Sequence, residues 1–275
     1  MKYYLVEAFT DKLFSGNPAG VCVLESWPSD EMMQRIAGEN NLPETAFLCK
    51  EESGWRIRWF TPAFEMDLCG HATLASGYVL MNYVEPGDVA AFDSCSGPVR
   101  VLRAENNQYV LDFPSRPPVE VPIPEGIEEC LGAKVLGCYQ SRDMIVLLES
   151  AADVQRISPD FEKMKEIIPE WGMVPTAKGE DCDFVSRYFD PRDANIEDPV
   201  TGSAHCTLTP FWSKRLGKTT LNARQLSARG GSLLCVDQGE RVSIGGGAVL
   251  YLEGELKIYQ PPPIQANGLR GLCRV

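Results

Sequence analysis

Two stretches of this chain are apolar on every side rather than along one stripe. One is His71 to Tyr83 (H-A-T-L-A-S-G-Y-V-L-M-N-Y); the other opens at Gly202 and runs to Leu216, small and apolar at first. A helix with no polar face has to be wrapped by other structure. Around both lie short runs rich in β-branched and aromatic residues, which read as strands: residues 3–9, 21–24, 45–49, 55–60, 89–92, 99–113, 135–138, 144–148 and 184–189, with more up to 256–259. Two amphipathic helices are also predicted. Ser29-Asp30-Glu31 opens the first, with acidic residues at its positive end and Met32, Met33, Ile36 and Ala37 as its apolar face; the second covers Asp160 to Ile168. Ser15-Gly16-Asn17-Pro18-Ala19-Gly20 reads as a tight loop. Pro114 to Gly126 holds five prolines and reads as an extended linker. The pattern therefore predicts an α+β protein in two units, 1–116 and 117–261, with the tail 262–275 a candidate to rejoin the first.

The two wrapped helices sit in repeated surroundings. Met66-Asp67-Leu68-Cys69-Gly70-His71-Ala72-Thr73 opens the first, and Glu197-Asp198-Pro199-Val200-Thr201-Gly202-Ser203-Ala204-His205 opens the second. Both place an Asp a few residues ahead of a Gly, followed by small polar residues. Upstream, Arg58-Trp59-Phe60-Thr61-Pro62 matches Arg187-Tyr188-Phe189-Asp190-Pro191. A basic residue, two aromatics, a spacer and a Pro, then a Gly-led helix, is one supersecondary unit used twice. Two such units would face each other with their helix N-termini at the cleft. Unpaired backbone N–H groups and two positive dipole ends would meet there, which suits a carboxylate or phosphate without requiring Arg or Lys.

Composition narrows the function. At 275 residues, 44% hydrophobic and 23% charged, the chain is globular, and a net charge of −12 argues against nucleic acid or anionic membrane as a partner. No apolar run approaches the ~18 residues needed to span a bilayer. Ten scattered cysteines without C-x-x-C, beside only two histidines, read as reduced thiols of a cytoplasmic protein rather than a zinc cluster or disulfide scaffold. No metal or cofactor is expected. The chain has no phosphate-binding G-x-x-x-x-G-K, no dinucleotide fingerprint after a strand and no G-x-S-x-G nucleophile elbow.

Cofactor-free proton transfer is the chemistry left to the cleft candidates Glu44, Cys69, Gly70, His71, Asp198, Gly202, Ser203 and His205. From the local pattern, Glu44 is either a solvated edge carboxylate or a half-buried acid–base group. Asp198 is either a site residue or the cap of the second helix. His205 is either the edge of the site or helix packing, and Cys206 is core.

Four motifs, G-N-P-A-G-V, N-L-P-E-T-A-F, D-L-C-G-H-A-T and D-P-V-T-G-S-A-H, together resemble the PhzF family of phenazine-biosynthesis-type isomerases, related in fold to diaminopimelate epimerase and proline racemase. The resemblance covers nearly the whole chain. It implies two pseudo-symmetric α/β-roll domains, each a mostly antiparallel barrel-like sheet around a central helix, with the site between them. It implies that Glu44 is the acid–base residue, with His71, Asp198 and Ser203 in the site and Gly70 and Gly202 at the helix ends that touch substrate. Family members are commonly homodimers that act on small molecules without a cofactor. The chain departs from the two-thiol racemases: Cys69 precedes Gly70, but Thr201 precedes Gly202. Cys69 is then either one base of an asymmetric racemase or an inert buried thiol. The expected function is an isomerase moving a proton on a small carboxylic acid, with a non-catalytic binding protein on the same fold as the alternative. A closed cleft is expected to raise the Glu44 pKa.

Overall fold

The computed structural model describes residues 1–170, 172–192 and 197–258. The expected return of the tail 262–275 lies outside the described residues. The first half builds β1 (Lys2–Ala8), β2 (Asn17–Leu24), α1 (Asp30–Asn40), β3 (Glu44–Glu51), β4 (Gly54–Phe60), β5 (Glu65–Met66), α2 (Gly70–Val79), β6 (Val89–Asp93), β7 (Val99–Arg103) and β8 (Gln108–Pro114). The second builds β9 (Val119–Val121), α3 (Ile127–Leu131), β10 (Val135–Gln140), β11 (Met144–Leu148), α4 (Ala151–Arg156), α5 (Phe161–Ile167), β12 (Met173–Lys178), β13 (Phe184–Ser186), α6 (Gly202–Leu216), β14 (Thr220–Gln225), β15 (Gly231–Asp237) and β16 (Arg241–Glu255).

Strand order explains the shape. The path β1-β2-β3-β4-β6-β7-β8-β16 closes on itself because β16 also pairs with β1, so the first sheet is a roll without edges. The second sheet continues from β16 through β15, β14, β13, β12, β11, β10 and β9. β16 thus belongs to both: residues 241–247 lie against β8, and residues 248–255 lie against β1.

Each roll is filled by its wrapped helix. All ten residues of α2 are buried, and the helix continues into a π-turn at Leu80–Val84. Gly77 lets β7 pass close by, because a Cβ there would meet Val101 Cβ at 2.5 Å. In α6 the buried run ends at Ser213; Lys214 and Arg215 follow in the last turn, and Gly217 closes the helix at φ 66°.

Three sequence expectations need correction. Asn17 to Gly20 is not a loop but the start of β2, held between β1 and, from Ala19, β3. The proline-rich linker contains β9, which pairs with β10 through Val119, Glu120 and Val121, none of them proline. The last strand among the described residues stops at Glu255, so residues 256–258 extend no strand, and Tyr259 lies outside the described residues. The helices α3 and α4 and the strand β12 went unread: the helices span barely more than a turn, and β12 carries a proline.

Candidate active site

The site is built where the two helix tips meet. A Cβ on Gly70 would lie 3.3 Å from Gly202 Cα and 3.6 Å from the Ser203 backbone nitrogen. The residues before the helices, Cys69 and Thr201, are extended and make no side-chain cap bond. The first N–H groups of α2 and α6 are therefore left to whatever fills the space in front of them. Asp198 does not cap α6: its carboxylate accepts instead from Asn17 Nδ2 at 2.7 Å and Thr201 Oγ1 at 2.5 Å.

The approach to each tip is braced in the same way. In the first half, Arg58 grips Glu65 with two N–H donors at 2.6 Å each. In the second, Arg187 grips Glu197 at 2.7 and 2.9 Å. Both glutamates stand five positions before the helix glycine, Gly70 or Gly202. Such two-pronged bridges fix orientation as well as distance.

In front of the tips lies a cavity of about 310 Å³. Seven sequence candidates line it: Glu44, Cys69, Gly70, His71, Asp198, Gly202 and Ser203. Glu44 begins β3, and its side chain is 16% exposed, so it is neither in bulk water nor sealed off. Its Oε2 lies 3.2 Å from His71 Nε2, although the ring N–H does not aim squarely at it. Burial drives the His71 pKa down to about 3, so the ring is neutral near pH 7. Cys69 Sγ stands 3.6 Å from His71 Nδ1. Burial, reinforced by the Glu44 and Asp198 carboxylates, pushes the Cys69 thiol well above its ordinary range.

Other lining residues were not among the candidates, although Tyr188 and Asp190 belong to the repeated motif before the second helix. Arg142, Tyr188, Asp190 and Arg192 reach the wall from loops and a bridge of the second sheet. Arg192 is engaged by Asp190 at 2.5 Å, and Tyr188 donates to the buried Asp143 at 3.2 Å. The tips thus share the cavity with two guanidinium groups. His205 is absent from the wall. It is fully buried in α6, 2.8 Å from the Thr201 carbonyl oxygen and packed on Phe184, so its role is packing. Cys206 is likewise buried.

Glu44, Cys69 and His71 offer ligand atoms within 4.8 Å of one another. The carboxylate faces Nε2 while the thiol faces Nδ1, so no single ring nitrogen turns toward both. A thiol held protonated by its surroundings is also a poor ligand. This set fits a hydrogen-bonded cluster better than a metal.

Two rolls, each wound on a helix whose bare N-terminus enters a shared cavity, define the epimerase–racemase fold class. A protein described as a probable proline racemase, from Agrobacterium radiobacter, superposes with a TM-score of 0.61 at 10% identity, over 95% of this chain and 94% of its own, a likeness of fold alone. The chain belongs to the PhzC-PhzF family of phenazine biosynthesis-like proteins, whose sequence profile matches residues 6–254. It is 49% identical over 260 residues to a Pseudomonas aeruginosa protein named as an uncharacterized isomerase, covering 94% of this chain and 99% of the relative. The crystal structure of a PhzF-family protein from Enterococcus faecalis matches with a TM-score of 0.90 at 47% identity, over 94% of this chain and 99% of that one. Fold and relatives together support an isomerase. No helix among the described residues is long and apolar enough to cross a membrane.

Proposed function

We propose that the protein is a cofactor-independent isomerase that moves one proton on a small carboxylic acid. The observation that carries this reading is the meeting of two uncapped helix N-termini at Gly70 and Gly202, in the cavity that Glu44 enters. The substrate carboxylate accepts from backbone N–H groups at Gly70–His71 and Gly202–Ser203. The Glu44 carboxylate takes a proton from a carbon next to an electron-withdrawing group and becomes a carboxylic acid. The charge left on the substrate is stabilised by the two helix ends. Glu44 then returns the proton to another carbon, shifting a double bond. His71, neutral, orients the Glu44 carboxylate. Asp198, held by Asn17 and Thr201, shapes the far wall. The nine described cysteines are free thiols, which agrees with a reducing, cytoplasmic setting.

The test is hydrogen exchange in D2O across a panel of small cyclic, unsaturated and amino carboxylic acids. The wild type is expected to exchange a C–H of at least one acid that it binds. Glu44→Gln is expected to keep that binding and lose exchange by a factor of about 10²–10⁴. Unchanged exchange by Glu44→Gln removes Glu44 from the chemistry. Binding without exchange by the wild type makes the protein a binding module on this fold.

A further inference from the structure

We infer that Asn17 is a positioning residue that locks His71 in the tautomer with its proton on Nε2, so that the ring can only donate toward Glu44. Asn17 is fully buried at the first position of β2. Its amide nitrogen faces three acceptors: Asp198 Oδ1 at 2.7 Å, the Val200 carbonyl oxygen at 2.9 Å and His71 Nδ1 at 3.1 Å. A carboxylate and a carbonyl oxygen have no hydrogen to give. Turning the amide over would set its oxygen against both of them, so the nitrogen is held where it is. The amide has two hydrogens to share among these three acceptors and its nitrogen cannot accept, so a hydrogen on His71 Nδ1 would face a donor at 3.1 Å; a neutral ring therefore carries its hydrogen on Nε2. Burial keeps the ring neutral. Two of the three acceptors come from the segment leading into α6, while His71 belongs to α2. One side chain therefore couples the loop of the second roll to the imidazole of the first. The consequence for chemistry rests on the Glu44 reading above: His71 does not compete as a base, and its hydrogen sits on the nitrogen 3.2 Å from the Glu44 carboxylate.

The competing arrangement puts the hydrogen on Nδ1, shared with Cys69 Sγ at 3.6 Å, and leaves Nε2 to accept from a protonated Glu44. Nitrogen NMR separates the two, and the chain carries only two histidines. His205 supplies an internal standard: its Nδ1 faces a carbonyl oxygen at 2.8 Å and must bear the hydrogen. Long-range ¹H–¹⁵N spectra of the ligand-free protein at pH 7 are expected to show one ring of each tautomer, with His205→Gln assigning them. Asn17→Ala is expected to move His71 toward the Nδ1–H form or a mixture while His205 stays as it was. Asn17→Ser serves as a second variant wherever loss of the His205 signature shows that the alanine protein has not folded. Two Nδ1–H rings in the wild type, or an unmoved His71 in a folded Asn17 variant, overturns the inference. Because no substrate is needed, this result stands apart from the exchange test of Glu44.

Discussion

Cys69 is the residue on which a racemase mechanism would have to depend, and its surroundings argue against it. A nucleophile or base made from cysteine must be a thiolate, yet burial and two carboxylates hold this one protonated. Cys69→Ser is therefore expected to cost less than about tenfold in exchange rate, about 1.4 kcal/mol of barrier; a loss on the scale of Glu44→Gln would restore the thiol mechanism. The histidines make a different prediction, about stability. Their pKa values fall from 6.5 in the unfolded chain to about 3 for His71 and about 4 for His205, through burial in both cases. Below pH 6.5 the unfolded chain takes up protons that the folded one refuses, so stability falls as pH drops and is flat above. At pH 5 each ring removes about 2 kcal/mol at 1.36 kcal/mol per pH unit. Asp143, whose carboxyl burial raises, works in the opposite sense at lower pH. Urea unfolding at pH 7 and pH 5 is expected to show the loss, and His205→Gln to halve it. At this scale the sequence named seven residues that the fold brings to one cavity wall, because motif spacing travels with them. It misread Asn17, since an Asn-Pro pair scores as a turn whatever strands lie on either side. It was silent on Arg142 and Arg192, whose approach depends on pairing between distant strands.

Among the elements, the pair of helix tips is the unit that matters. Their apolar character and glycine starts were legible because a helix without a polar face admits one environment. The closeness of the tips was not, since it follows from how two sheets share a strand. The contact leaves little room: a Cβ on Gly202 would sit 3.4 Å from Phe9 Cζ and 3.5 Å from Gly70 Cα. Alanine there would make ordinary contact, but a β-branched side chain must separate the tips. Gly202→Val is expected to cost about 1–3 kcal/mol by overpacking, read as a lower urea midpoint. It should weaken binding of whichever acid the wild type takes by more than that stability loss explains, because the two sets of N–H groups no longer converge. Equal affinity in a destabilised protein would show that one tip suffices. The matched Arg58–Glu65 and Arg187–Glu197 bridges hold the approaches at 21% and 13% arginine exposure. Their roles in the repeat rest on charges that local pattern alone leaves as ordinary surface residues.

For the whole molecule, β16 is the joint between the rolls, and its glycines make room for the chain packed against the crossing. The strand leaves β8 at Gly247 and takes up β1 at Ala248, and Phe9 lies under that crossing. Phe9 is fully buried at φ 61°, a conformation rarely taken by a bulky residue. Its ring would stand 2.5 Å from a Cβ on Gly246, and its tip 3.4 Å from one on Gly202. The same ring thus supports the joint on one side and a helix tip on the other. Three consecutive glycines in a sequence read only as a bend or bulge, because Phe9 and Thr10, against which Gly246 and Gly247 pack, are more than 230 residues away. Gly246→Ala is expected to force the Phe9 ring aside at about 1–3 kcal/mol, a fall in Tm of about 2–4 °C per kcal/mol. Acid binding should weaken with it, since the displaced ring moves toward Gly202. Gly254→Ala, in the same strand but with its nearest contact at 3.7 Å, should stay within about 0.5 kcal/mol of wild type. If the two variants melt alike and bind alike, β16 is an ordinary strand, and the coupling of joint to site through Phe9 is lost with it.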